Sequence, residues 1–160
     1  MQTRRWLGCA LLLTMGCQGH PAPLTERDLE VSGIPASADT GAARRIAGAP
    51  AATSMATEPD EEGVHVTTWT YPNFELSFDG RGHRYQVVVR TPGVTTIRGL
   101  RVGDDTGRIS RLYGPPRMAD SSYRLYGIDP QSDTNTSGVL IDIAAGRVRR
   151  IVVGYVIGIN

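Results

Sequence analysis

The sequence predicts an α+β fold built from two tandem helix-plus-three-strand repeats, with the helices packed on one face of antiparallel sheet. Three observations carry this expectation. Gly33–Pro50 (GIPASADTGAARRIAGAP) and Gly99–Pro116 (GLRVGDDTGRISRLYGPP) align without a gap at an offset of 66 residues. Seven of their positions are identical: Gly33/Gly99, Asp39/Asp105, Thr40/Thr106, Gly41/Gly107, Arg45/Arg111, Gly48/Gly114 and Pro50/Pro116. Self-similarity at a fixed period marks a duplicated unit. The shared stretch also carries helix start and stop signals, and alternating strand patterns follow it in both copies.

In the second copy, Asp104 or Asp105 caps a short helix by accepting backbone N–H bonds. Ile109, Leu112 and Tyr113 then fall on one helical face, Gly114 stops the helix, and Pro115-Pro116 forbid its continuation. The aligned face in the first copy is Ala43, Ile46 and Ala47, which buries less apolar area. Three strands follow in the first copy: Val64–Tyr71, Phe74–Phe78 and His83–Arg90, with Asp79-Gly80 as a hairpin turn. Three follow in the second: Tyr123–Tyr126, Val139–Ile143 and Val148–Ile157, with Gly146-Arg147 matching Gly80-Arg81. Two polar segments, Ala51–Gly63 and Ile128–Ser137, read as loops. Repeat one spans residues 25–90 and repeat two residues 91–160, and their strands can join into one larger sheet.

The chain has 160 residues, 40% of them hydrophobic and 21% charged, an ordinary globular composition. All 17 basic residues are arginine, and the net charge is +1. Residues 18–63 carry three Arg against eight acids, and residues 64–160 carry twelve against eight. That mild basicity is too weak to argue for nucleic acid. At the N-terminus, Arg4 and Arg5 precede an apolar run from Trp6 to Met15 that is too short to span a bilayer. Residues 1–16 are therefore expected to be a signal peptide. The run ends in Leu13-Thr14-Met15-Gly16-Cys17, which resembles the lipobox of bacterial lipoproteins, with Thr14 and Met15 departing from the usual pattern. This resemblance implies lipid attachment at Cys17 and a lipidated tether over residues 17–24. A chain beginning at Cys17 has no second cysteine, so its stability rests on apolar burial. Gln18 is not the Asp that retains some lipoproteins in the inner membrane, so a lipid-anchored place in the cell envelope is expected, on the outer membrane if the cell is Gram-negative. A secreted or periplasmic location is the alternative.

The second copy also resembles the small envelope lipoproteins of the SmpA/OmlA type and the related β-lactamase-inhibitor-protein-like fold. The likeness rests on Gly99-Leu100, Gly103, Ile109 and Leu112-Tyr113-Gly114-Pro115-Pro116, then on the strands Tyr123–Tyr126 and Val139–Val153. The first copy matches less fully, with Ala47 in place of the aromatic and Ser37 in place of Gly103. What the resemblance implies is a non-catalytic binding or scaffolding module for an envelope protein, acting in envelope assembly or maintenance. The alternative is an inhibitor of an enzyme such as a hydrolase, inserting the 128–137 loop with Asp129 or Asp133.

Chemistry of other kinds finds little support. His20, His65 and His83 lack metal-ligand spacing, Asp39-Thr40-Gly41 and Asp105-Thr106-Gly107 suit helix caps, and no nucleophile elbow is present. No catalytic residue, metal site or cofactor is therefore expected. Partner-binding candidates are Trp69, Tyr71, Arg84, Arg124 and Tyr126, because aromatic and Arg side chains dominate protein-binding hot spots. Arg84, with Gln86, Arg90 and Arg150, is expected on the strand faces opposite the core.

Overall fold

A computed structural model of the protein describes residues 21–57, 65–129 and 135–157. Residues 1–16, expected to be a signal peptide, and Cys17 lie outside the described residues. The chain passes through a 3₁₀ turn at Glu26–Leu29, then α1 (Thr40–Ala47), β1 (Ala52–Thr57), β2 (His65–Thr70), β3 (Phe74–Phe78) and β4 (Arg84–Val89). It continues with α2 (Thr106–Tyr113), β5 (Met118–Ala119), β6 (Tyr123–Gly127), β7 (Asn135–Ala144) and β8 (Arg147–Ile157). All eight strands form one antiparallel sheet in the order β1-β2-β3-β4-β8-β7-β6-β5.

This corrects the expected fold class. The described residues form a β-rich fold, a single eight-stranded sheet carrying two eight-residue helices, and not two helix-plus-three-strand repeats. Each half contributes four strands, because Ala52–Thr57 and Met118–Ala119 pair onto the sheet as its two edges. Every residue of β1 is exposed, so it has no buried face to impose alternation on its sequence. The segment expected to be a loop at 128–137 is also partly strand, since β7 begins at Asn135.

The helices form where the duplicated stretch places them. The Asp39 carboxylate accepts from the Ala42 N–H at 2.6 Å, and the Asp105 carboxylate from the Arg108 N–H at 2.9 Å. Each side chain satisfies an N–H that has no partner within the helix. Gly48 and Gly114 end the helices at φ of +80° and +73°, a conformation that favours glycine. α2 buries Ile109 and Tyr113, whereas α1 buries only Ala43, and Ile46 is 47% exposed. A tyrosine from the sheet latches each helix end: the Tyr71 hydroxyl donates to the Gly48 carbonyl at 3.1 Å, and the Tyr126 hydroxyl to the Gly114 carbonyl at 3.3 Å.

The core lies between the sheet and the helices. One register row crosses six strands: Trp69, Leu76, Val87, Val153, Val139 and Tyr126. Its four central members are fully buried. β4 and β8 join the two halves through the pairs Gln86↔Gly154, Val87↔Val153, Val88↔Val152 and Val89↔Ile151.

A second tie runs through Arg98. Its guanidinium grips Asp28 with two hydrogen bonds, Nε to Oδ1 at 2.7 Å and Nη2 to Oδ2 at 3.0 Å. It also donates to the carbonyls of Ala22, Pro23 and Leu112, and it stands 5.3 Å over the Tyr113 ring. Residues 22–23, the 3₁₀ turn and the end of α2 are thereby fixed to one side chain. Burial alone would raise the Asp28 carboxyl, but hydrogen bonds from Arg98 and from Thr25 outweigh it and hold the group below its ordinary value. A depressed carboxylate stabilises the fold above its unfolded pKa, and that stability is lost as pH falls through the folded value. Asp28→Asn is therefore expected to lower stability at neutral pH by about 3 kcal/mol. The gap from the native protein should close as pH drops below 3.8. Urea unfolding of both proteins between neutral and acid pH measures this; a gap independent of pH would contradict it.

Candidate functional site: the helix-free sheet face

The sequence-based candidates mostly sit beneath the helices. Trp69 packs edge-on against Phe78 with ring centroids 4.6 Å apart, and the Arg44 guanidinium of α1 lies 5.8 Å above it. Tyr71 stacks on Phe74 at 4.7 Å, and Tyr126 packs on Tyr113 at 5.1 Å. Burial pushes the Tyr126 hydroxyl up to about 12, with Arg124 pulling the other way. These aromatics join the main core, not the opposite face.

Arg84 is also on the helix side, which corrects its expected placement. The register shifts between Ser77 and Phe78, so Arg84 pairs with Phe78 and Gln86 with Ser77. This bulge turns Arg84 towards the core. There it donates to the carbonyls of Ile34 at 2.8 Å, Leu29 at 2.6 Å and Val153 at 3.4 Å. Burial lowers its pKa to about 10, with Glu30 partly offsetting it, and the side chain serves as an internal tie for the 29–34 segment. Arg124 turns back to the carbonyls of Asp120 and Tyr123 at the β5–β6 turn. Cys17 and Asp133 lie outside the described residues. The Asp129 carbonyl accepts from Arg117 at 3.3 Å.

The opposite sheet face has a different character. The next register row reads Glu75, Val88, Val152, Leu140, Leu125 and Met118. Val88, Leu125, Leu140, Val152 and Val156, each of them buried, form a second apolar cluster, against which Met118 and Tyr123 pack half-buried. No described helix contributes to this cluster; the helices pack into the other one. On one flank lies a row of Thr68, Ser77, Gln86, Gly154, Gly138 and Gly127. A Cβ on Gly138 would lie 2.0 Å from the Tyr126 carbonyl oxygen, and one on Gly154 2.6 Å from that of Tyr85. Only glycine allows neighbouring strands this close, and such positions mark bends in a sheet. Val156, beyond Gly154, shares the cluster with Val152 on the near side.

On the other flank the residues are charged. Arg150 binds Asp142 through Nε at 2.5 Å, and Arg90 lies 3.6 Å from Glu75. Arg90, Asp142, Arg149 and Arg150 line a cleft of ≈ 400 Å³. Among the described residues, no group of three or more His, Cys, Asp or Glu is placed to hold a metal ion.

Gln86, Arg90 and Arg150 thus occupy the face expected for them, whereas Arg149, Asp142 and the apolar floor escaped the sequence reading. The signal was present in Val139-Leu140-Ile141 and Ile151-Val152-Val153, which run apolar without alternation. A strand apolar on successive residues has both faces covered or engaged. Comparison of the chain with protein-family models, with curated proteins and with solved structures finds no match.

The placement of the aromatics has a direct consequence. Trp69→Ala and Tyr126→Ala should each destabilise the fold by about 4 kcal/mol. Tyr126→Phe, which loses only the hydrogen bond to Gly114, should cost about 1 kcal/mol. Urea unfolding checks both, and an unchanged midpoint in either alanine variant would remove that ring from the core.

Proposed function

We propose that this chain is a cell-envelope lipoprotein whose folded body is a non-catalytic protein-binding module, acting in envelope assembly or maintenance. Its binding surface is the helix-free sheet face. The observation that carries the reading is the group of Arg90, Arg149 and Arg150 lining a cleft on that face, beside the second apolar cluster. Arginine is enriched in protein interfaces relative to the rest of the surface. The likeness of Gly99–Pro116 to envelope assembly lipoproteins supports the same reading.

The tether adds a geometric argument. Arg98 holds the carbonyls of Ala22 and Pro23, and Pro21 lies beside Gly114. From Cys17 to Pro21 the chain can reach at most about 14 Å. A lipid on Cys17 would therefore hold the body close to the membrane surface, with a partner's approach restricted to envelope components.

A photo-crosslinking residue tests the binding face when placed at Gln86 or Tyr123, with Arg45 and Arg111 on the exposed helix surfaces as controls. In cells producing the full chain, discrete protein adducts are expected from the two sheet positions and not from the helix positions. Adducts from the helices alone, or from no position, would contradict the reading. Intact mass of the membrane-fraction protein beside Cys17→Ala tests the anchor: acyl chains on a product beginning at Cys17 are expected, and an unmodified soluble product would contradict it.

A further inference from the structure

The cleft beside the apolar floor has an electrostatic imbalance. Just past the last β4–β8 pair, Val89↔Ile151, Arg90 lines one cleft with Arg150. Like charges gathered in one cleft repel each other. A third guanidinium is added by a bulge. The β7–β8 register shifts between Asp142 and Ile143, so that Asp142 faces Arg150, Ile143 faces Val148, and Arg149 has no residue opposite. Bulges of this kind re-aim a side chain, and they are over-represented beside functional sites.

The carboxylates nearby do not balance the group. Three guanidiniums and one carboxylate line the cleft, leaving two positive charges. Asp142 is engaged by Arg150 at 2.5 Å. Glu75 stands 3.6 Å from Arg90, and with side chains 36% and 54% exposed the contact is a weak surface pair. Arg149 is exposed, and no described carboxylate pairs with it. Arginine forks fit carboxylates with two parallel hydrogen bonds. Beside the cleft lies the second apolar cluster, whose aliphatic members are buried: Val88 precedes Arg90 by two residues, Val152 follows Arg150 by two, and Tyr123 pairs with Asp142.

We infer that this cleft is a carboxylate-binding subsite, seating the acidic side chains of an extended partner segment. The inference rests on the protein-binding reading and specifies the chemistry of that partner. A segment in which Glu or Asp recurs at every second residue presents its carboxylates together to the cleft, since alternate residues of an extended strand share one face.

The test uses the full chain and fluorescein-labelled Glu-Leu-Glu-Leu-Glu, with Gln-Leu-Gln-Leu-Gln as the neutral control and inorganic phosphate as competitor. By fluorescence anisotropy, the acidic peptide should bind about tenfold or more tightly than the neutral one. The Arg90→Gln/Arg149→Gln double variant should lose that preference while keeping the native unfolding midpoint, because both side chains are exposed. Equal binding of the two peptides, or an unchanged preference in the double variant, would overturn the inference. So would full displacement by millimolar phosphate, which would make the cleft a free-anion site. Photo-crosslinks from Gln86 that persist undiminished in the double variant would leave the binding face standing and sink the cleft alone. Loss of crosslinks from the native face would sink the reading beneath both.

Discussion

The structure depends on the union of β4 with β8. Each half presents strands that are apolar towards the helices, and neither half closes a core by itself. Pairing Val87 with Val153 and Val89 with Ile151 brings the two halves into one sheet and buries these side chains under both helices. The row from Trp69 to Tyr126 is therefore continuous through both copies. Its ends are tied upward, because Arg44 of α1 lies over Trp69 and the Tyr126 hydroxyl reaches the Gly114 carbonyl at the end of α2. Arg98 and Arg84 then fasten the irregular segments to this frame. Each does so mainly through backbone carbonyls, which are buried acceptors that must find donors.

The duplication is symmetric on the helix side and asymmetric on the other. Beneath the helices, both halves offer the same sequence of aliphatic residue, aromatic ring and latched glycine. On the helix-free side the first half shows Thr68, Ser77 and Glu75, whereas the second shows Leu125, Leu140 and Val152. Packing explains the retained symmetry, since each helix needs a similar surface to bury against. It gives no reason for the apolar surplus in the second half. The excess of guanidinium charge beside it is where the chain departs from what stability alone requires, and the proposed binding role would account for that excess.

The helices were legible in the sequence to within a residue or two, because Asp39, Asp105, Gly48 and Gly114 signal their ends locally. The six inner strands were legible too, some from alternation imprinted by burial on one side and some from runs of β-branched and aromatic residues. The edge strands were not. Ala52–Thr57 is exposed on both faces, and Met118–Ala119 is two residues long, so neither carries a period. Missing them made each half look like three strands and the whole look like two α+β units. The site was legible only in part. Gln86, Arg90 and Arg150 follow from simple alternation. Arg84 and Arg149 do not, because each sits where a bulge shifts the alternation by one residue. Composition marked Trp69 and Tyr126 as candidates, but residues that suit an interface also suit a core.

Hydrogen exchange across the seam tests most directly whether the two copies form one cooperative body. Amides of Val87 and Val89 in β4 and of Ile151 and Val153 in β8 should exchange only through global unfolding. Slow amides within β2–β3 and within β6–β7 should then share that same opening free energy. Two separate values, with the first half opening while β6–β8 stays protected, would show that the halves are independent and contradict the account.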